Sequence, residues 1–228
     1  MDFRLDPRAE EIRDQVEAFF VEHVLPNHSK WEREVEHEGN ARPQFLEDLR
    51  SQAFELGLWN MALPALADDE PGTRLTNVEF ASVAEVLGRL SWASNVFNCH
   101  APDVPNMEIL QMFGTPAQKE EFLKPLLMGQ SRSAFAMTEP GVASSDATNI
   151  ATRIEREGDE YVINGHKWFA SGAGNPHCQF LIVVGVTDPE APRGKQHTMV
   201  IVPKDTPGVQ VVRNLPVFHH VDVMAPHT

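Results

Sequence analysis

The spacing of apolar residues changes once along this chain, near Gln130, and that change constrains the fold more than any other feature. Before it, apolar residues recur at three- and four-residue intervals. After it, they alternate or run in short blocks bounded by Gly, Pro, Asn and Asp. A helix-period half followed by a strand-period half does not interleave into βαβ units. It predicts an α+β chain of two domains: an all-helical one over 1–130 and an antiparallel, β-barrel-like one over 131–228.

Within the first half, Ile12, Val16, Phe19 and Phe20 follow Pro7 at helical spacing, and Pro26 is expected to end that helix. Phe45, Leu49, Ala53 and Leu56 repeat the pattern up to Gly57. Thr76 with Glu79 has the spacing of a capping box, and a buried helix is expected from Phe80 to Trp92. Thr115-Pro116-Ala117-Gln118 is a second cap, leading to Phe122, Leu123, Leu126 and Leu127, with Pro125 as a kink and Gly129 as the stop. In the second half, Ile150–Arg156 and Tyr161–Ile163 flank Gly158-Asp159 and read as a hairpin. Phe180–Val186, Met199–Val202 and Val209–Arg213 read as further strands, with Asp188–Lys195 as an exposed loop.

Charge and composition exclude several functions. The net charge is -14. It is concentrated before Ser131, where 11 Lys/Arg face 23 Asp/Glu, against 8 and 10 afterwards. A chain this acidic has no basic face for nucleic acid. The near-neutral second half is the better place for an anionic ligand. No apolar run is long enough for a membrane span, and Met1-Asp2-Phe3-Arg4 is too charged to open a secretory signal, so a cytoplasmic location is expected. Cys99 and Cys178 read as separate buried thiols in a reducing compartment. His197, His219, His220 and His227 show no ligand spacing, so no metal site is expected. The Glu32, Glu34, Glu36, Glu38 alternation reads as a solvated segment.

Two segments of the second half carry chemistry. The first is Ala136-Met137-Thr138-Glu139-Pro140-Gly141-Val142-Ala143-Ser144-Ser145-Asp146, with short hydroxyls, free amides and a glycine that lets backbone approach a ligand. The second is Val162-Ile163-Asn164-Gly165-His166-Lys167-Trp168-Phe169-Ala170-Ser171-Gly172. On a strand, Trp168 and Phe169 would face opposite ways, and Ser171 would share the side of Phe169. Taken singly, each segment is an ordinary turn or strand end. Together they offer amides, hydroxyls and aromatic faces with few charges, which suits an uncharged aromatic cofactor ring with a polar tail.

The pair, in this order, resembles the acyl-CoA dehydrogenase family. That family's signature is a Thr-Glu-Pro run leading to Gly-Ser-Asp, then a hairpin with Ile-Asn-Gly-x-Lys and an aromatic-x-Ser/Thr ending. This chain has Thr138-Glu139-Pro140, Ser145-Asp146, Ile163-Asn164-Gly165-His166-Lys167 and Phe169-Ala170-Ser171, opened by Phe135-Ala136-Met137. The resemblance covers essentially the whole chain, since the helical half matches the family's N-terminal domain. The loop carries one residue more than the common form, and Ala143-Ser144 replaces the usual glycine. In this it resembles the subgroup of family members ten and eleven. The extra residue leaves Ser144 and Ser145 both open as the cofactor-binding serine, with Ser145 favoured because Asp146 anchors the match.

The resemblance implies an FAD-dependent α,β-dehydrogenation of an acyl-CoA thioester in fatty acid metabolism. It implies that Phe135, Met137 and Thr138 contact the pyrimidine side of the flavin. It implies that Ser145 lies near the diphosphate or the substrate's phosphopantetheine arm, that Phe169 packs beside the ring, and that Ser171 lies near N5. It further implies electron-transferring flavoprotein as acceptor and a homo-oligomer at full length. The catalytic base, usually a glutamate on a C-terminal helical bundle, is expected outside these 228 residues, so this chain alone is expected to be inactive. The rival expectations are a non-catalytic domain pair acting in binding, and a relative of the flavin monooxygenases or nitroalkane oxidases.

Overall fold

The structure is a computed structural model that describes residues 5–217, 219 and 221–228. The chain divides into two compact units, Met1–Gln130 and Ser131–Thr228.

The first unit is helical. Helix α1 (Pro7–Phe19) begins where the Asp6 carboxylate accepts the Arg8 N–H and Pro7 takes the first helical position. Contrary to expectation, Pro26 does not end the helical path. The chain stays helical to His37 through a π turn at Phe20–Val24, a 3-10 turn at Leu25–Asn27, α2 (His28–Trp31) and a π segment at Glu32–His37. Proline lacks an N–H and crowds the carbonyl four residues back. A π turn just before it moves those carbonyls aside, and the Asn27 side-chain amide donates to the His23 carbonyl at 2.7 Å. Glu32, Glu36 and Glu38 are exposed.

The unit continues with α3 (Gln44–Glu55), α4 (Asn77–Leu87), α5 (Ala93–Val96), α6 (Asp103–Phe113), α7 (Pro116–Gln118) and α8 (Lys124–Leu127). Pro125 is accommodated as Pro26 is, by a π turn at Lys119–Leu123 immediately before it. Thr76 with Glu79 and Thr115 with Gln118 form both bonds of their capping boxes. The core holds Phe20, Leu46, Met61 and Phe97, with Trp31 stacked on Trp92 at 4.9 Å. Arg50 is buried but donates to the Asn95 carbonyl at 2.6 Å and the Gly129 carbonyl at 3.0 Å, lying 5.0 Å over the Trp59 ring.

The second unit is built on one sheet of β1 (Arg132–Ala136), β2 (Arg153–Glu157), β3 (Glu160–Asn164), β4 (Cys178–Val186) and β5 (His197–Pro203). Its order is β1-β4-β2-β3, with β5 also pairing β4. The β2–β3 hairpin turns at Gly158, and β4–β5 is antiparallel. The expectation of an antiparallel sheet is corrected: β1 and β4 run parallel, as do β2 and β4, so the sheet is mixed. A parallel neighbour needs a long crossover, and residues 137–177, the signature loop and the hairpin, supply it. A second correction concerns Val209–Arg213, which alternates like a strand but is not one. Val211 is 42% and Val212 75% exposed, and no neighbouring strand takes this segment's backbone groups among the described residues. Among the described residues, no helix is long and apolar enough to cross a membrane.

Candidate functional site

The signature loop is anchored by a buried anion. Glu139 is 5% exposed. Its Oε1 accepts the Thr152 N–H at 2.8 Å, the Thr152 hydroxyl and the Lys167 ammonium at 2.8 Å; its Oε2 accepts the Ala151 N–H at 2.8 Å. Burial alone would raise this carboxyl, but the donors, Lys167 first and then Thr152 and Ala151, outweigh it and bring it down to about 2. Lys167 also donates to the Met137 carbonyl at 2.8 Å; burial lowers its pKa and Glu139 only partly compensates. Gly165 permits this packing, since a Cβ there would lie 2.1 Å from the Thr152 hydroxyl oxygen. The network was missed by sequence reasoning. Its signal was present, though: one acid and one base, each inside a motif otherwise nearly free of charge.

The same stitching brings the two signature segments together. The Trp168 N–H donates to the Thr138 carbonyl at 3.0 Å, so Thr138 lies beside the Phe169–Ser171 turn. Thr138 is exposed, and its hydroxyl bonds to no described residue; Phe135 and Met137 are half-buried. Trp168 and Phe169 do not face opposite ways as a strand would require. Phe169 sits at φ 50° in the left-handed region, and the two rings meet edge to face at 5.0 Å. They are 39% and 46% exposed. Ser171 and Phe169 do share a neighbour: the Ser171 hydroxyl lies 2.7 Å from His227 Nδ1, and the Phe169 ring 5.8 Å from the His227 ring.

The serine pair is split. Ser144 is buried, and its hydroxyl accepts the Glu139 N–H at 2.9 Å. Ser145 is exposed. Asp146 caps the turn after it, held below the usual carboxylate range by the Thr148 hydroxyl and N–H and by Arg193.

A cavity of about 750 Å³ lies on the sheet, lined by Ala136, Trp168, Ala170, Leu181, Val183 and Val202 among others. Its walls take Ala136 and Ala170 but not Phe135, Met137, Thr138, Phe169 or Ser171. Thr152, Lys167 and Thr228 also line it, so the cavity adjoins both signature segments without taking in those five residues. Among the described residues no three His, Cys, Asp or Glu side chains are grouped to hold a metal; His220 lies outside them. Cys99 and Cys178 are free thiols, Cys178 buried and Cys99 only half-buried; desolvation pushes the Cys99 thiol up to about 12.

A helical unit followed by a mixed sheet, with a Thr-Glu-Pro loop tied to an Asn-Gly-x-Lys hairpin, matches one class of known domains. Residues 6–130 match the acyl-CoA dehydrogenase N-terminal domain and residues 134–219 the acyl-CoA dehydrogenase middle domain. The chain belongs to the acyl-CoA dehydrogenase family. It is 47% identical to FadE2 of Mycobacterium tuberculosis, named as an acyl-CoA dehydrogenase, over 96% of this chain and 53% of that protein. It is 46% identical to acyl-CoA dehydrogenase family member 11 of Gallus gallus, over 94% of this chain and 28% of that protein. A solved structure from Mycobacterium abscessus that carries an acyl-CoA dehydrogenase name shares 44% identity at a TM-score of 0.88, covering 98% of this chain and 57% of that one. An acyl-CoA dehydrogenase of Bacillus anthracis complexed with FAD is 25% identical at a TM-score of 0.70, covering 98% of this chain and 35% of that one. The chain thus spans about half the length of FadE2 and less than a third of family member 11.

Proposed function

We propose that this chain supplies the flavin-facing wall of an FAD-dependent acyl-CoA dehydrogenase. The observation that carries the reading is the junction of Thr138 with the Phe169–Ser171 turn through the Trp168 N–H. Around that junction Thr138, Trp168 and Phe169 are exposed and Ser171 is half-buried, which supports the reading. The donor set fits an uncharged ring. The Lys167 ammonium is engaged with Glu139 and the Met137 carbonyl.

In this reading the backbone of Phe135, Met137 and Thr138, with the Thr138 hydroxyl, holds the polar edge of the ring. Phe169 packs against it and Ser171 faces N5. Ser145 takes the diphosphate or the phosphopantetheine arm, because Ser144 is turned inward to Glu139. Bound FAD supplies the hydride acceptor, and the protein supplies orientation and hydrogen bonds. The substrate is an acyl-CoA thioester that loses an α-proton and a β-hydride. Electron-transferring flavoprotein is the acceptor, and the full-length protein is a homo-oligomer.

Neither acid of the signature loop is the α-proton base. Glu139 already accepts four donors and has a pKa of about 2, far too low to retain a proton at neutral pH. Asp146 is tied to Thr148 and Arg193. In this reading residues 1–228 alone do not turn over acyl-CoA. The test is to purify this chain, add FAD, and assay a panel of acyl-CoAs with an artificial electron acceptor. Turnover comparable to an intact family member would overturn the assignment of the base. In the FAD-loaded protein, Thr138→Val should weaken FAD binding by about fivefold, the worth of one hydrogen bond. An unchanged absorbance spectrum and affinity would remove Thr138 from the wall.

A further inference from the structure

Ser171 and His227 are 56 residues apart in sequence, yet their Oγ and Nδ1 atoms lie 2.7 Å apart. The approach is built, not casual. The Asp222 carboxylate accepts the N–H groups of Met224 and Ala225 at 2.8 and 3.0 Å. The Asn175 side-chain amide donates to the Met224 carbonyl at 2.8 Å. Beyond that point residues 226–228 run alongside the Phe169–Ser171 turn: Gly172 N–H donates to the Pro226 carbonyl and Ala170 N–H to the Thr228 carbonyl, each at 3.0 Å. The His227 carbonyl accepts the Leu215 N–H at 2.6 Å. The imidazole thus lies against the Ser171 hydroxyl with the Phe169 ring 5.8 Å away.

A serine hydroxyl has one proton, and its neighbour decides where it points. When Nδ1 carries hydrogen, it donates to Oγ, and the Ser171 proton is free to point outward. When Nδ1 is bare, it accepts the Ser171 proton, and Oγ offers only lone pairs outward. Exchange of the imidazole proton between its two nitrogens, through solvent at this half-buried ring, switches one state to the other without moving a heavy atom.

We propose that His227 is a positioning residue that sets whether Ser171 donates or accepts a hydrogen bond toward the flavin N5. This rests on the reading that Ser171 faces N5. A flavin N5 accepts a hydrogen bond when the ring is oxidised and bears a hydrogen when it is reduced. The Ser171–His227 pair serves both forms by reversing its proton order. A serine without the imidazole does so less well, because its hydroxyl rotates freely.

The test compares Ser171→Ala, His227→Ala, His227→Asn and the double alanine variant in the FAD-loaded protein. FAD affinity is read by equilibrium dialysis and the two-electron potential by dye equilibration, with circular dichroism to confirm the fold. Each single alanine variant should weaken the affinity for oxidised and for reduced FAD alike, by about fivefold, leaving the two-electron potential within about 10 mV of wild type. The double variant should add nothing. His227→Asn, whose amide can donate or accept in place of Nδ1, should return most of the wild-type affinity for both forms. A FAD affinity that responds to Ser171→Ala but ignores His227→Ala would overturn the assignment, as would additive single effects, a loss confined to one redox form, or no rescue by asparagine. Wild-type protein that binds no FAD would overturn the functional reading itself, and this assignment with it.

Discussion

Replacing Glu139 by glutamine tests how the signature loop is held. In the folded chain the carboxyl falls from 4.5 to about 2, because Lys167, Thr152 and Ala151 outweigh the burial that would raise it. At about 1.4 kcal/mol per pH unit, this is ~3 kcal/mol of stability at neutral pH. Breaking a buried pair by removing one partner costs a similar 3–5 kcal/mol, approximately, and here it would leave Lys167, half-buried, without its anion. Glutamine keeps one acceptor oxygen but turns an amide N–H₂ toward donors. Glu139→Gln should therefore destabilise the second unit by ~3 kcal/mol at pH 7. The pH dependence has a definite sign. A carboxylate with a depressed folded pKa stabilises fully above its unfolded value, and that contribution is lost as pH falls through the folded one. The difference between wild type and variant should thus be constant above pH 4.5 and fade toward about 2. Hydrogen exchange of β4 (Cys178–Val186) peptides, read by mass spectrometry across that range, isolates this unit from the helical one. A loss below ~1 kcal/mol at pH 7, or one that does not shrink on acidification, would refute the reasoning.

Adding Lys167→Met to Glu139→Gln should recover stability relative to the single variant, by ~1–3 kcal/mol, since the stranded half-buried cation is removed; urea unfolding of the two variants at pH 7 checks this. Ser144→Ala should cost ~1–2 kcal/mol by orphaning the buried Glu139 N–H, whereas Ser145→Ala at an exposed position should leave the urea midpoint unchanged. Gly129→Ala should lower the thermal midpoint of the helical unit. Gly129 sits at φ 65°, and a Cβ there would lie 2.2 Å from the Arg50 guanidinium and 2.7 Å from the Trp59 ring, a loss of at least ~2 kcal/mol.

Local features were legible from sequence because their causes are local. Apolar spacing separates helix from strand within a few residues. A threonine and a glutamate three apart close a capping box on their own backbone, as Thr76 and Glu79 do. The Gly158 turn likewise needs only its flanking strands, β2 and β3. What tertiary structure alone decided involves partners distant in sequence. Strand β1 (Arg132–Ala136) pairs parallel with β4, some forty residues on, and nothing in either segment states the direction. Val209–Arg213 has a strand's alternation but no strand to pair with among the described residues, and alternation alone cannot satisfy a backbone. Pro26 and Pro125 were breakers by rule, yet each is absorbed by a π turn just before it. The two adjacent serines are chemically identical in sequence. Packing against the Glu139 amide turned Ser144 inward and left Ser145 outside. His227, with no motif of its own, meets Ser171 only because a chain of backbone bonds lays residues 226–228 along the Phe169–Ser171 turn.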